Sequence, residues 1–166
     1  MKKSFAMALG GVFAALAIVV MTLGGMIPVA TYITPVLCML LLSFVMRACG
    51  NKIAWTWFFA VSILALLLSP DKEAAAVFVA LGYYPIIKRR FDKLPVSWLF
   101  KGIYFNAVTV LLYALLLYVI GMEQLLSDFS GIGIWGLAAA LLLGNVCFLL
   151  VDRVLNMTDR FIRRRK

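Results

Sequence analysis

The sequence predicts an all-α membrane protein, a bundle of six transmembrane helices, and three observations support this prediction. The chain of 166 residues is 65% hydrophobic, whereas soluble domains are roughly 45–50% apolar. Its mean hydropathy of +1.05 is expected of a protein whose outer surface also faces hydrocarbon. Its apolar residues fall into six segments, each about long enough to cross a bilayer. We therefore expect one transmembrane domain over residues 1–166 and no separate soluble domain.

The six predicted helices follow one another with short polar connections. Their expected bounds are about 5–26, 33–48, 53–68, 70–87, 97–121 and 131–155. The first is interpreted as a retained helix, because its apolar run is too long for a signal peptide. In the fourth, Ser69 is the expected N-cap and Pro70 the first helical residue. Pro85 is expected to kink that helix near its end.

The distribution of basic residues predicts a topology with both termini cytoplasmic. If the first residue lies inside and the six spans alternate, every Lys and Arg except Lys72 falls in a cytoplasmic segment. This asymmetry is the one that the positive-inside rule describes. The net charge of +9 is thereby explained by orientation in the cell membrane and by contact with membrane lipid. Nucleic acid is not expected as a partner.

Catalysis, metal binding and cofactor binding are not expected. The chain has no histidine, which removes the commonest general base and a common metal ligand. Its three cysteines, Cys38, Cys49 and Cys147, form no CxxC pair. No phosphate-binding P-loop is present. The interpretation is therefore a protein that binds or assembles rather than an enzyme.

Six polar residues are the candidates for contacting a solute. Asp71, Lys72 and Glu73 form the charged cluster of the outer surface, and Tyr32 follows the first loop. Helix capping and a solvated turn would also account for this cluster. Asn106 and Asn145 lie inside predicted spans, where polar groups cost free energy. They either line a cavity or hydrogen-bond between helices, an interaction worth about 0.6–2 kcal/mol.

Small residues on the first helix are the candidates for a partner interface. Gly10 and Ala14 are four residues apart, as are Gly11 and Ala15, so two adjoining stripes allow another helix to approach closely. The alternative is packing within the chain. The interface hypothesis predicts that Ala14→Leu disrupts partner assembly more than folding.

Six spans, cytoplasmic termini, this chain length and a first helix rich in small residues resemble the substrate-binding S component of energy-coupling-factor (ECF) transporters. In that family an Ala-xxx-Ala surface on helix 1 meets a coupling subunit, and the matching stripes here are Gly-xxx-Ala. The first loop, with prolines at 28 and 35, resembles the family's gate. The segments SPDKE and GYYPIIK are also similar to small membrane proteins of Gram-positive bacteria. The resemblance implies capture of a small micronutrient from outside, dependent on a coupling membrane subunit and an ATPase pair.

Two other functions stay open. Six-span scaffolds of the cell-wall elongation machinery, such as the rod-shape protein MreD, have similar length and topology and bind no solute. A stand-alone carrier would need two alternating states, but residues 1–87 and 88–166 show no inverted repeat. If the protein binds a solute, we expect the candidate residues to form a polar pocket. If it is a scaffold, we expect those residues to satisfy one another's hydrogen-bonding groups and to leave no pocket.

Overall fold

The computed structural model of the chain describes residues 3–27, 30–92, 96–116 and 141–157, and helices are the only regular secondary structure in these ranges. The helices are α1 (Lys3–Gly24), α2 (Ile33–Cys49), α3 (Asn51–Leu68), α4 (Lys72–Leu81), α5 (Tyr84–Phe91) and α6 (Ser97–Leu115), followed by a helical segment over 141–157. The prediction of an all-α fold is confirmed for the described residues. The chain divides into two compact units, Met1–Leu94 and Pro95–Lys166.

Among the described residues, three helices, α1, α3 and α6, are long and apolar enough to cross a membrane, and α2 is a shorter apolar helix. The first three helices begin and end within two residues of their predicted bounds. The fifth predicted helix begins at Ser97 as expected, and its end falls outside the described residues. The first ten residues of the sixth predicted helix also lie outside them.

The core of the first unit lies where α1, α2 and α3 pack together. Ala17 and Met21 of α1 are fully buried, as are Leu42 of α2 and Val61 of α3. Small side chains let the backbone of α1 come within reach of the cysteines of α2. The Cys38 thiol donates to the carbonyl of Ala17 at 3.6 Å, and the Cys49 thiol donates to the carbonyl of Ala6 at 3.2 Å. Both thiols are therefore structural.

The fourth predicted helix, 70–87, is two helices rather than one kinked helix. α4 ends at Leu81, and Gly82 and Tyr83 separate it from α5. Pro85 has no N–H to continue the ladder, and the N–H of Ile86 instead donates to the carbonyl of Tyr83 at 3.0 Å. The ten residues of α4 extend only about 15 Å at 1.5 Å per residue. A full crossing by this part of the chain therefore requires α4 and α5 together.

The N-cap of α4 is Asp71 rather than Ser69. The Asp71 backbone is extended, and its carboxylate accepts from the N–H of Ala74 at 2.9 Å. The Ser69 side chain is buried, and its hydroxyl lies 3.4 Å from the carbonyl of Met21 and 3.1 Å from that of Asp71. Ser69 thus links the α3–α4 turn to α1. The carboxylate of Asp71, which lies directly before α4, caps the helix instead.

The second unit contains an antiparallel helix pair formed by α6 and residues 141–157. The rings of Phe105 and Phe148 stack with their centroids 4.7 Å apart. Lys101, which precedes Phe105, contacts Asp152, which follows Phe148. Asn106, which follows Phe105, contacts Asn145, which precedes Phe148. The two helices therefore run in opposite directions with a fixed register.

Candidate functional site

The charged cluster of residues 71–73 surrounds the start of α4, and each of its side chains has a protein partner. The hydroxyl of Tyr32 donates to Glu73 Oε1 at 2.9 Å. The ammonium of Lys72 donates to the carbonyl of Leu66, in the last turn of α3, at 2.9 Å. A cation at this end of a helix is favoured by the helix dipole. The cluster therefore brings together four predicted residues, and their contacts cap helix ends and join α4 to Tyr32.

The α1–α2 connection lies directly against the α3–α4 turn beside this cluster. A side chain at Gly25 would place its Cβ 2.9 Å from Pro70 Cγ and 3.0 Å from the backbone nitrogen of Asp71. At Gly24 a Cβ would collide with the methyl group of Thr34. Glycine is favoured at Gly25 because a proline ring and a backbone nitrogen leave no room for a side chain, whereas a side chain at Gly24 would require the Thr34 side chain to move. The cluster is thus held at a tight junction of two connections.

Asn106 of α6 and Asn145 meet each other within the second unit. The Asn106 amide donates to Asn145 Oδ1 at 2.9 Å, and the Asn145 amide donates to Asn106 Oδ1 at 3.0 Å. The remaining amide hydrogens are directed to the carbonyls of Gly102 and Leu141, both at 2.8 Å. All four N–H donors are therefore used, and each Oδ1 keeps one free lone pair.

A groove of about 820 Å³ runs along α6 beside this amide pair. Its walls are almost entirely apolar, and the polar side chains at its edge are Trp98 and the two asparagines. Gly102 and Ala107 line it as well, and a Cβ at Gly102 would meet nothing within 4 Å in the described structure. The described residues of the second unit thus form an open, mostly apolar groove next to two amide oxygens.

The structure divides the predicted partner-interface residues between two faces of α1. Gly10 is buried, where an added Cβ would lie 3.8 Å from Ile53 Cγ2, and Ala14 packs against the core. Gly11 and Ala15 are exposed, and a Cβ at Gly11 would meet nothing within 4 Å among the described residues. Partner contact through these residues stays a prediction, and only Gly11 and Ala15 are exposed in the described structure. Packing of α1 on α2 and α3 occupies the stripe of Gly10 and Ala14.

Sequence reasoning missed the buried ion pair of the second unit. Lys101 Nζ donates to Asp152 Oδ2 at 3.0 Å, with only 5% and 13% of the two side chains exposed. Asn156 also donates to Asp152 Oδ2, at 3.4 Å. In the sequence analysis, Lys101 is only one of the basic residues that indicate the cytoplasmic side of the predicted topology. The position of Lys101 could have indicated this pair. It lies one helical turn inside α6, and an ionisable residue inside a span requires a partner.

Lys88 is a second buried cation that the sequence did not indicate as such. Its side chain is 3% exposed and forms an ion pair with Asp92 at 3.3 Å, one turn further along the chain. Within the described ranges no group of three or more His, Cys, Asp or Glu side chains could hold a metal ion. The chemistry of the described part is therefore that of hydrogen bonds, ion pairs and apolar surface.

Comparison with known proteins leaves the family open. No protein-family model matches the chain, and neither the curated proteins nor the solved structures contain a significant match.

Proposed function

We propose that the chain is a six-span protein of the cell membrane, with cytoplasmic termini, that captures a small solute from outside for an ECF-type uptake system. The groove of the second unit carries this proposal. Its volume of about 820 Å³ lies within the roughly 300–1,000 Å³ that is usual for small-molecule sites. Apolar walls with a few polar groups are also usual for such sites.

The amide pair favours a particular class of solute. Because the N–H donors of Asn106 and Asn145 are used, the amide pair offers only acceptor oxygens to a ligand. A mostly apolar molecule with an O–H or N–H donor fits this pattern. An anionic group does not fit at this position, because no free donor or cation faces it from the amide pair.

The outer cluster is proposed as a separate surface contact for the polar group of the solute. Lys72 and Tyr32 lie at the surface of the first unit, so their side chains are accessible from water. An anionic group on Lys72 would have to compete with the carbonyl of Leu66, which accepts from its ammonium. We expect these contacts to be weak and exchangeable, because exposed polar contacts are typically worth about 1 kcal/mol or less.

The exposed stripe of α1 is the proposed contact with a coupling membrane subunit. Ala15→Leu is expected to leave the stability of the isolated chain within about 0.5 kcal/mol and to reduce co-purification of the coupling subunit. Ala14→Leu, the matched control, is expected to destabilise the isolated chain by about 1–3 kcal/mol, because it overpacks the core. Thermal unfolding and pull-down of both variants check this, and unfolding caused by Ala15→Leu would contradict it.

An MreD-like scaffold is the second candidate, and one observation favours it. Tyr32 pairs with Glu73 and Asn106 pairs with Asn145, which is the mutual satisfaction that a scaffold predicts. A pull-down from native membranes distinguishes the two candidates. Recovery of a coupling subunit with an ATPase pair supports uptake, whereas recovery of cell-wall elongation proteins overturns it.

A further inference from the structure

One face of the helical segment 141–157 changes from aliphatic to charged along its length. Val146, Leu149 and Leu150 are exposed. Arg153 and Asn156 follow at spacings of three and four residues, which keeps them on the same face. Together with Asp152 these five residues line an open cavity of about 390 Å³. The cavity therefore has an apolar part and a polar part.

The polar part of this cavity carries a net positive charge. Among the described residues, Asp152 is the one acid that lines it, and its carboxylate already binds Lys101 at 3.0 Å and Asn156 at 3.4 Å. Arg153 is exposed, and no hydrogen bond or ion pair involves it in the described structure. With Lys101 and Asp152 neutralising each other, the guanidinium of Arg153 provides the charge that faces outward.

We propose that this cavity holds one anionic phospholipid of the inner leaflet. Its phosphate contacts the Arg153 guanidinium, and an acyl chain lies along Val146, Leu149 and Leu150. The proposal rests on the proposed topology, which places residue 153 at the cytoplasmic surface, where anionic lipids attract basic side chains. A cation directly beside an aliphatic strip matches the headgroup and chain of a lipid, whereas a second apolar helix would leave the guanidinium without a counter-charge.

Lipid titration of the full-length chain in a neutral detergent, followed by native mass spectrometry, tests this proposal. We expect phosphatidylglycerol to bind more tightly than phosphatidylcholine, and soluble glycerol phosphate to show no binding because it has no acyl chain. Arg153→Gln is expected to weaken phosphatidylglycerol binding about fivefold. Arg153→Lys keeps the charge and should retain binding. Lys52→Gln is the matched control, since Lys52 is an exposed cation at the start of α3.

Three results would overturn the lipid site. Equal losses for Arg153→Gln and Lys52→Gln would mean diffuse attraction to the basic surface. Equal affinity for phosphatidylglycerol and phosphatidylcholine would exclude headgroup recognition, and binding of glycerol phosphate would indicate an anion site without lipid. The proposed topology is tested separately, because a cysteine-accessibility map with residues 88–93 outside would refute it. Solute capture has its own readout, the small molecules that co-purify with the chain.

Discussion

Lys101→Met is expected to destabilise the second unit by about 3–5 kcal/mol. The substitution removes the lysine that the carboxylate of Asp152 binds at 3.0 Å, where only 13% of the Asp152 side chain is exposed, and breaking a buried ion pair by removing one partner is strongly unfavourable. The free energy of unfolding in mixed detergent micelles measures the effect. Lys52→Met, which removes an exposed lysine, is the control and should change stability by less than about 0.5 kcal/mol.

The double variant Lys101→Met, Asp152→Leu separates the cost of removing one partner from the net contribution of the ion pair to stability. A buried ion pair can often be replaced by apolar side chains at little cost. We therefore expect the double variant to recover most of the stability that Lys101→Met loses. A loss of less than about 1 kcal/mol for Lys101→Met would contradict burial of the pair, since exposed pairs contribute about that much.

Gly82→Ala is expected to have the second large effect, a loss of about 1–3 kcal/mol through overpacking. Gly82 has ordinary helical dihedral angles, so the restriction is space rather than conformation. A Cβ there would collide with the carbonyl oxygen of Phe78 and lie 2.7 Å from two carbons of its ring. Phe78 is fully buried and packs on Phe58 with ring centroids 5.6 Å apart, so its ring cannot move aside freely.

Gly11→Ala is the matched control for Gly82→Ala. Gly11 lies inside α1 with open space around its Cα in the described structure, so alanine there should be neutral or stabilise the helix by up to about 1 kcal/mol. Thermal unfolding of both variants in detergent compares the two sites. Equal effects of the two substitutions would show that the junction between α4 and α5 is loosely packed.

The helices of the first unit were predictable because their signals are local. Long apolar runs bounded by glycine, proline and basic residues placed α1, α2 and α3 within two residues of their observed ends. Pro85 predicted a disturbance of the fourth helix, but not a two-residue break. The close approach of the Phe78 ring to Gly82 at this break has no signal in the sequence pattern.

The candidate site was predictable in its residue types but less so in its pairings. Asn106 and Asn145 were identified because amides in lipid require a reason, and interhelical bonding was one of the two alternatives. The two stripes of α1 could not be told apart, because only the packing of α2 and α3 decides which of them is buried. The Lys101–Asp152 pair depends on the antiparallel register of α6 with residues 141–157. This register cannot be predicted from the sequence pattern.

Solute capture in the groove is the central claim, and mass spectrometry of small molecules that co-purify with the chain tests it most directly. We expect wild-type protein to retain a mostly apolar molecule with an O–H or N–H donor. Gly102→Leu places a bulky side chain in the groove and should strongly reduce retention. Cys147→Leu, the control, adds a leucine at an exposed position of 141–157 that does not line the groove, and retention should persist. The absence of any retained molecule, or equal retention in all three proteins, would contradict the claim.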